Sequence, residues 1–379
     1  MKTVNIVTSY FFPEKSAGAN RVNSIVKELS KENMVNVIYL VERGKELDLK
    51  LTKSQFNSHV NFHPILQKKF KNDRFLERCF YEILYSLKLN IKNIFIKSDV
   101  TIVSIPYLML LPISALFILF YNRKTILDIR DLIWLYLDFS EKKYLQKAKA
   151  FLEKICIWSA AKFDVLVATT KSQLDYFNKN GLVIENGIEK TKFYQLSNIQ
   201  YPKIESKIYI TYAGTIGFPQ NLMTFVEAAN ILQYYDSRYV FNLVGKGSDL
   251  KRILEYIDQN KLINVNYFGE LDWESLKKIY ANSHILYAQL KDKTSFRTAQ
   301  PSKIFEYAST GFPIIFAGIG ESERVIKMFK NSVCIIPERA QLLANEILKI
   351  DCSKSYETIQ IVFDNFIRED IMEKYKMIV

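Results

Sequence analysis

Short apolar runs rich in β-branched residues alternate with amphipathic stretches along the whole chain. A strand buried on both faces reads as a nearly continuous apolar run, whereas a crossover helix shows an apolar stripe of period 3.6. The alternation therefore predicts βαβ units and parallel sheets, the α/β class. The strand candidates form two sets. Thr3–Thr8, Asn36–Val41, Val100–Ser104, Thr125–Ile129 and Asp164–Thr169 make the first; Lys207–Tyr212, Val240–Val244, Val265–Phe268, His284–Ala288 and Pro313–Ala317 make the second. Each suffices for one Rossmann-like, doubly wound parallel sheet. Lys190 to Ser206 is polar, carries Pro202 and lacks an apolar period, which predicts a linker between domains of residues 1–190 and 191–361. The stretch from Tyr356 reads as one or two helices, the last of which, about residues 362–379, packs back on the first domain. Ile105 to Tyr121 is the longest apolar run, but Pro106, Pro112 and Ser114 interrupt it. It is shorter than the ~20 residues a membrane span needs and predicts a buried helix.

At 379 residues, 49% hydrophobic and 24% charged, the chain exceeds what a single core organises. A net charge of +12 predicts an anionic partner: nucleic acid, a phosphorylated ligand or acidic lipid headgroups. The chain passes from one lysine directly into Val4-Asn5-Ile6-Val7, which reads as a cytosolic start rather than a secretory signal. Cys79, Cys156, Cys334 and Cys352 are scattered, without the close pairs of a zinc or redox site, and read as reduced structural thiols. His59, His63 and His284 carry no role in this reading.

Ligands of doubly wound sheets bind beyond the carboxyl ends of the strands, so the residues that follow strands are the informative ones. After the first strand, Tyr10 to Arg21 forms a turn-prone loop opening a helix; its only glycine is Gly18, so it is no GxGxxG dinucleotide fingerprint. Free N–H groups at such a helix start can hold an anion or a sugar hydroxyl; an ordinary surface loop fits the same residues. Asp128-Ile129-Arg130-Asp131 sits at another strand exit, where a structural ion pair and an acceptor-binding cluster both fit. Asn186-Gly187 is a turn signal. Ala213-Gly214-Thr215-Ile216-Gly217 and Gly245-Lys246-Gly247 are glycine-bearing strand exits in the second half, where a phosphate or sugar can approach the backbone.

The strongest segment is Phe296 to Pro313. It reads as a loop, a helix with Pro301 and Ser302 in its first turn, a stop at Gly311 and a strand. A diphosphate at that helix start would meet free N–H groups, with Arg297 and Lys303 to balance its charge. Glu306, one turn in, could accept from two ribose hydroxyls.

These segments together resemble the retaining GT-B glycosyltransferases of family four, in particular bacterial capsule and O-antigen transferases acting on amino-sugar donors. The resemblance covers nearly the whole chain: Phe12-Pro13-Glu14 with Arg21, Asp128-x-Arg130-Asp131, Glu185-Asn186-Gly187, Gly214 to Gly217, Gly245-Lys246-Gly247 and Pro301 to Glu306. It implies two Rossmann-like domains facing a cleft, and a nucleotide-sugar donor, UDP-linked and N-acetylated, used without a cofactor. By resemblance the donor is bound by Gly214, Thr215, Gly217, Gly245, Lys246, Thr298, Pro301, Ser302 and Glu306, and the acceptor by Gly18, Arg21, Asp128 and Arg130. Asp131, Arg297 and Lys303 are the catalytic candidates. The chain departs from the family at two places. Thr298 stands where a sugar-contacting glutamate is usual, and no Lys or Arg lies between Thr215 and Asn221.

The resemblance further implies transfer with retention, the departing phosphate taking the acceptor proton, while the protein orients reactants and stabilises the leaving group. No Asp-x-Asp pair occurs in these loops, so no metal is expected. Lys68, Lys69, Lys71, Arg74, Arg78, Lys88, Lys92 and Lys97 are interleaved with Phe70, Phe75, Phe80, Tyr81, Tyr85 and Phe95. Such a mixture suits an anionic membrane surface as well as a solvated helix. A polyprenyl-diphosphate-linked acceptor at the cytoplasmic face of the cell membrane follows as the expectation. A nucleotide-sugar epimerase and a non-catalytic partner subunit share the architecture; nucleic-acid binding is not expected, because no recognisable module is present.

Overall fold

The computed structural model describes residues 1–14, 16–44, 54–68, 75–105, 107–136 and 143–379. Lys15, within the loop from Tyr10 to Arg21, and Lys69, Phe70, Lys71, Arg74 and Pro106, named above, lie outside the described residues. The chain divides into two compact units, one of Met1–Asn186 with Arg368–Val379, the other of Gly187–Ile367.

In the first unit, β1 (Thr3–Thr8), β2 (Met34–Glu42), β3 (Val60–Gln67), β4 (Val100–Ile105), β5 (Lys124–Ile129), β6 (Val165–Ala168) and β7 (Gly181–Val183) form a parallel sheet in the order β3-β2-β1-β4-β5-β6-β7. In the second, β8 (Ile208–Ala213), β9 (Tyr239–Val244), β10 (Val265–Gly269), β11 (Ile285–Gln289), β12 (Ile314–Ala317) and β13 (Ser332–Ile335) take the order β10-β9-β8-β11-β12-β13. Both are Rossmann orders, reversing direction beside the unit's first strand. Register is pinned partly by a polar ladder that runs from the buried Asn5 and Asn36 to the exposed Asn61. Asn36 donates to Asn5 Oδ1 at 2.8 Å and Asn61 to Asn36 Oδ1 at 3.1 Å, across strands paired Asn5 with Asn36 and Asn36 with Asn61.

The first sheet is covered on both faces. On one side lie the helices Phe75–Ile94, Leu110–Phe117 and Lys143–Ala161, which contribute Tyr85, Leu89, Leu111, Cys156 and Ala160 to a core with Val7, Val103 and Leu127. On the other, the Ala17–Leu29 helix packs Val22, Ile25 and Val26 with Met372 and Tyr375 of the carboxy-terminal segment.

Three strands, β3, β7 and β13, were not among the expected strand ranges. All are edges. β3 is buried only at its two ends, Val60 and Gln67, and contains Pro64, tolerable where one side of the ladder is free; β7 has three residues and β13 four. The expected linker is partly ordered as well: Lys190–Ser197 is a helix burying Phe193 and Leu196, and the unit boundary falls at Asn186 and Gly187. The carboxy-terminal crossing comes at Ile367 and Arg368, later than the expected residue 362, because the Tyr356–Asn365 helix packs on the Lys303–Thr310 helix instead. Among the described residues no helix is long and apolar enough to cross a membrane.

Candidate active site

Where the first sheet reverses, between β1 and β4, the loops leave a cavity of about 220 Å³ lined by Thr8, Tyr10, Gly18, Ser104, Arg130 and Asp131, with Ser16, Arg21 and Tyr136. Ser16 caps the Ala17–Leu29 helix, its Oγ accepting from the Ala19 N–H at 3.2 Å, so the positive end of that helix opens on the cavity. A Cβ on Gly18 would stand 3.5 Å from Arg130 Nη1, an ordinary contact. Arg130 and Asp131 are half-buried and 3.6 Å apart; Tyr136 donates its hydroxyl to Asp131 Oδ1 at 3.2 Å. Burial, aided by Glu14, pushes the Tyr10 phenol up to about 12, and burial beside Asp131 raises Tyr136 too. Both phenols therefore stay protonated and able to donate. Sequence reasoning passed over them, although Tyr10 opens the loop it examined.

Arg21 and Asp128 are buried, at 2% and 0% exposure, in a 2.8 Å ion pair. Asp128 does not line the cavity. Its oxygens also accept from Ser104 Oγ at 2.7 Å and the Tyr375 hydroxyl at 2.6 Å. Burial raises its carboxyl, but Arg21 and these hydroxyls outweigh that and hold it below the ordinary range. Arg21 also donates to Ile184 O at 2.9 Å and Asn186 Oδ1 at 3.3 Å. The pair thus ties the stretch that follows β7 to the unit's carboxy-terminal segment, with Arg21 reaching the cavity wall as well.

In the second unit, the loops after β8 and β9 pack backbone on backbone. Ile216 N–H donates to Lys246 O at 2.9 Å. A Cβ on Gly245, whose φ is +132°, would lie 1.8 Å from Gly214 O, and one on Gly247 would lie 2.1 Å from Ile216 O. These two glycines are required by loop packing, whatever approaches the loops from outside. Gly245→Ala is accordingly expected to destabilise the protein by more than about 1 kcal/mol, read as a lowered midpoint in urea; an unchanged midpoint would count against this packing. Lys246 is exposed and paired with Glu270. Gly214 is half-buried, Thr215 exposed and Gly217 buried.

The Lys303–Thr310 helix ends at Gly311, with φ +70°. At its start Ser302 makes no side-chain cap hydrogen bond, Pro301 and Thr298 are half-buried, and Lys303 Nζ sits 2.8 Å from Glu306 Oε2. Tyr280 donates to the same oxygen at 3.3 Å. Burial raises the Glu306 carboxyl, but Lys303, then Lys192, leave it lowered overall. Arg297 is half-exposed and held by Asp292 at 2.8 Å. Its carbonyl accepts from the Glu321 N–H at 2.9 Å and lies where a Cβ on Gly320 would be, at 2.2 Å. The loop after β12 therefore sets the height of Arg297, which the sequence reading missed.

That reading found no cation between Thr215 and Asn221. The fold brings two there: Lys291 and Lys293 place their ammonium groups 3.9 and 4.7 Å from the centroid of the half-exposed Phe218 ring. Lys291 N–H donates to Pro219 O at 2.9 Å, and Gln289 Nε2 donates to Gln220 O and Asn221 O, each at 2.8 Å. The β8 and β11 exits are thus stapled together at the second sheet's point of reversal. Among the described residues no three His, Cys, Asp or Glu side chains converge as metal ligands would.

Residues 196–357 match the family model for glycosyl transferases group 1. The matched stretch lies wholly within the second unit. Solved structures similar along essentially the whole chain include a glycosyltransferase from Rickettsia africae, at 17% identity over 99% of this chain and 97% of that one, TM-score 0.64. Another is HepE of Anabaena in complex with UDP and glucose, at 13% identity over 100% and 99%, TM-score 0.72. A third is sucrose-phosphate synthase of Thermosynechococcus elongatus, at 13% identity over 100% and 98%, TM-score 0.76. No curated protein sequence matches the chain. At these identities the likeness establishes architecture: the chain has the GT-B fold. The group 1 match spans β8 to β13, and so includes the Lys303–Glu306 pair.

Proposed function

We propose that this chain is a retaining glycosyltransferase, moving an N-acetylated amino sugar from a UDP-linked donor to a lipid-linked or glycan acceptor in surface polysaccharide synthesis. The observation that carries the reading is the start of the Lys303–Thr310 helix, where Lys303 and Glu306 form a half-buried pair inside the segment matching the group 1 model. That HepE, with the same fold, was solved with UDP supports a nucleotide-diphosphate ligand.

In this reading the donor ribose lies on Glu306. Its diphosphate meets the helix start at Pro301 and Ser302, Lys303 and Arg297, with Lys291 and Lys293 supplying charge at the Gly214–Gly217 loop, and the sugar lies by Thr298. The acceptor hydroxyl oxygen attacks the anomeric carbon from the face the diphosphate leaves. The carbon–oxygen bond to phosphate breaks, and the acceptor proton passes to a phosphate oxygen. Asp131, steadied by Tyr136, orients the acceptor with Arg130 and Gly18, while Arg21 and Asp128 hold that wall in place. Charge on the leaving group is balanced by fixed cations and helix N–H groups in a partly desolvated setting, where they act strongly. The reading assigns that task to side chains rather than to a metal ion.

A panel of UDP-sugars decides. Saturable binding of one of them, with nuclear magnetic resonance of the transferred product showing the donor's anomeric configuration, is the expected result. Inversion would sink the retaining chemistry; an epimer formed without acceptor would make the chain an epimerase; failure of every nucleotide to bind would leave a non-catalytic partner subunit.

A further inference from the structure

The helical layer holding Phe75–Ile94, Leu110–Phe117 and Lys143–Ala161 turns one side to the first sheet, and its other side is apolar as well. On the first of these helices Phe80, Ile83, Leu87, Ile91 and Ile94 are all exposed. At 100° per residue they fall within roughly an 80° arc, opposite Tyr85 and Leu89, which face the core. The Leu110–Phe117 helix packs against both of its neighbours and runs into a short 3₁₀ turn, Ile118–Phe120. There Leu119 and Phe120 are 79% and 72% exposed, with Leu116 beside them also exposed. On the third helix Phe151 and Trp158, two turns apart, are exposed, whereas Cys156 and Ala160 point inward.

Single exposed apolar residues need no explanation; ten large ones on three adjacent helices do. The charges around them all point one way. Lys88, Lys92, Lys147 and Lys154 are exposed on these helices, and Lys162 lies over the Trp158 ring at 4.9 Å. The acidic residues of the same helices are withdrawn: Glu82 is buried against Arg78 at 2.8 Å, Glu153 accepts from Tyr176 at 2.6 Å and Glu77 is half-buried.

We propose that this three-helix face docks on an anionic phospholipid leaflet, with Leu119, Phe120, Phe151 and Trp158 entering the headgroup boundary and the lysines contacting lipid phosphates. An apolar face rimmed by lysines matches that surface in both polarity and charge. A second copy of this chain fits it less well, because a two-fold contact would set the lysine rims against each other. The inference does not depend on the glycosyltransferase reading, since lipid binding is measured without any sugar.

The test is flotation of the full chain with vesicles of phosphatidylglycerol and phosphatidylcholine, beside vesicles of phosphatidylcholine alone. The chain is expected to float with the anionic vesicles at low salt and to be at least about tenfold less bound in 0.5 M salt or on neutral vesicles. Its tryptophan emission is expected to shift to the blue on binding, and the shift to vanish in Trp158→Phe. Leu119→Glu combined with Phe120→Glu, at positions too exposed to disturb folding, is expected to reduce partitioning at least about tenfold, and Lys88→Glu with Lys92→Glu to do the same. Circular dichroism checks that the variants are folded. Failure of the wild type to float, or unchanged flotation in both pairs of variants, overturns the proposal. So does a concentration-dependent dimer in sedimentation that Leu119→Glu with Phe120→Glu dissolves.

Discussion

Glu306→Ala is expected to weaken saturable binding of the sugar donor by about a hundredfold or more, with the fold intact. Two hydrogen bonds from ribose hydroxyls to a carboxylate are worth about 1.5–3 kcal/mol each, and in the proposed binding mode the substitution removes both. The fold should survive because Glu306 lies at the open start of its helix and Lys303, 31% exposed, can turn to water. Lys303→Ala should act differently, lowering kcat about a hundredfold or more, as loss of one charge-stabilising group does, with a smaller effect on donor affinity. It should also move a titration. In the wild type Glu306 is burdened by burial yet held below its ordinary value by Lys303 and Lys192, so donor binding persists through the usual glutamate range, near pH 4.3, and falls only below it. Removing Lys303 leaves burial less opposed, so the loss should begin at higher pH. Donor binding in Glu306→Ala equal to wild type would refute the site, and an unshifted acid limb in Lys303→Ala would refute the role of the pair.

Asp128→Ala is expected to destabilise the protein by about 3–5 kcal/mol, the usual result of removing one partner from a buried ion pair. It would leave Arg21, at 2% exposure, without its countercharge, and Tyr375 without its 2.6 Å acceptor. Tyr375→Phe should cost less, about 1–3 kcal/mol, since the ion pair survives. Denaturant midpoints measure both. The acid side provides a second check. Because the folded Asp128 carboxyl is held below its ordinary value, its contribution is complete above the unfolded pKa, near 3.9, and is lost as pH falls through the lower folded value. Asp128→Asn should flatten that part of the stability curve. If Asp128→Ala instead left the midpoint unchanged and abolished acceptor binding, the residue would be a ligand contact and not a tie between segments.

Much of this architecture was legible before any coordinates. Central strands such as β1, β4, β8 and β11 are buried on both faces, so their apolar runs are continuous and show in one dimension. The edges β3, β7 and β13 are short or half-exposed, and their pattern fades into that of loops. The candidate site divides in the same way. Lys303 and Glu306 are one helical turn apart, so their pairing at 2.8 Å follows from local geometry. Gly245 and Gly247 were legible as glycines, but the reason for them is not local: each faces the backbone of a loop about thirty residues earlier.

What the sequence determined by itself is whatever depends on neighbours within a few residues: the alternation that makes two doubly wound sheets, the strand exits, and the helix that begins beyond Pro301. Tertiary structure alone decided which distant groups meet. It placed Tyr375 on Asp128 across 247 residues, carried Lys291 and Lys293 to the Phe218 loop, and aligned three separate helices into a single apolar, lysine-rimmed face. The physical reason is range. Periodicity records which way a side chain points from its own backbone, whereas a contact between remote residues is set by sheet order, register and packing, which no local pattern encodes.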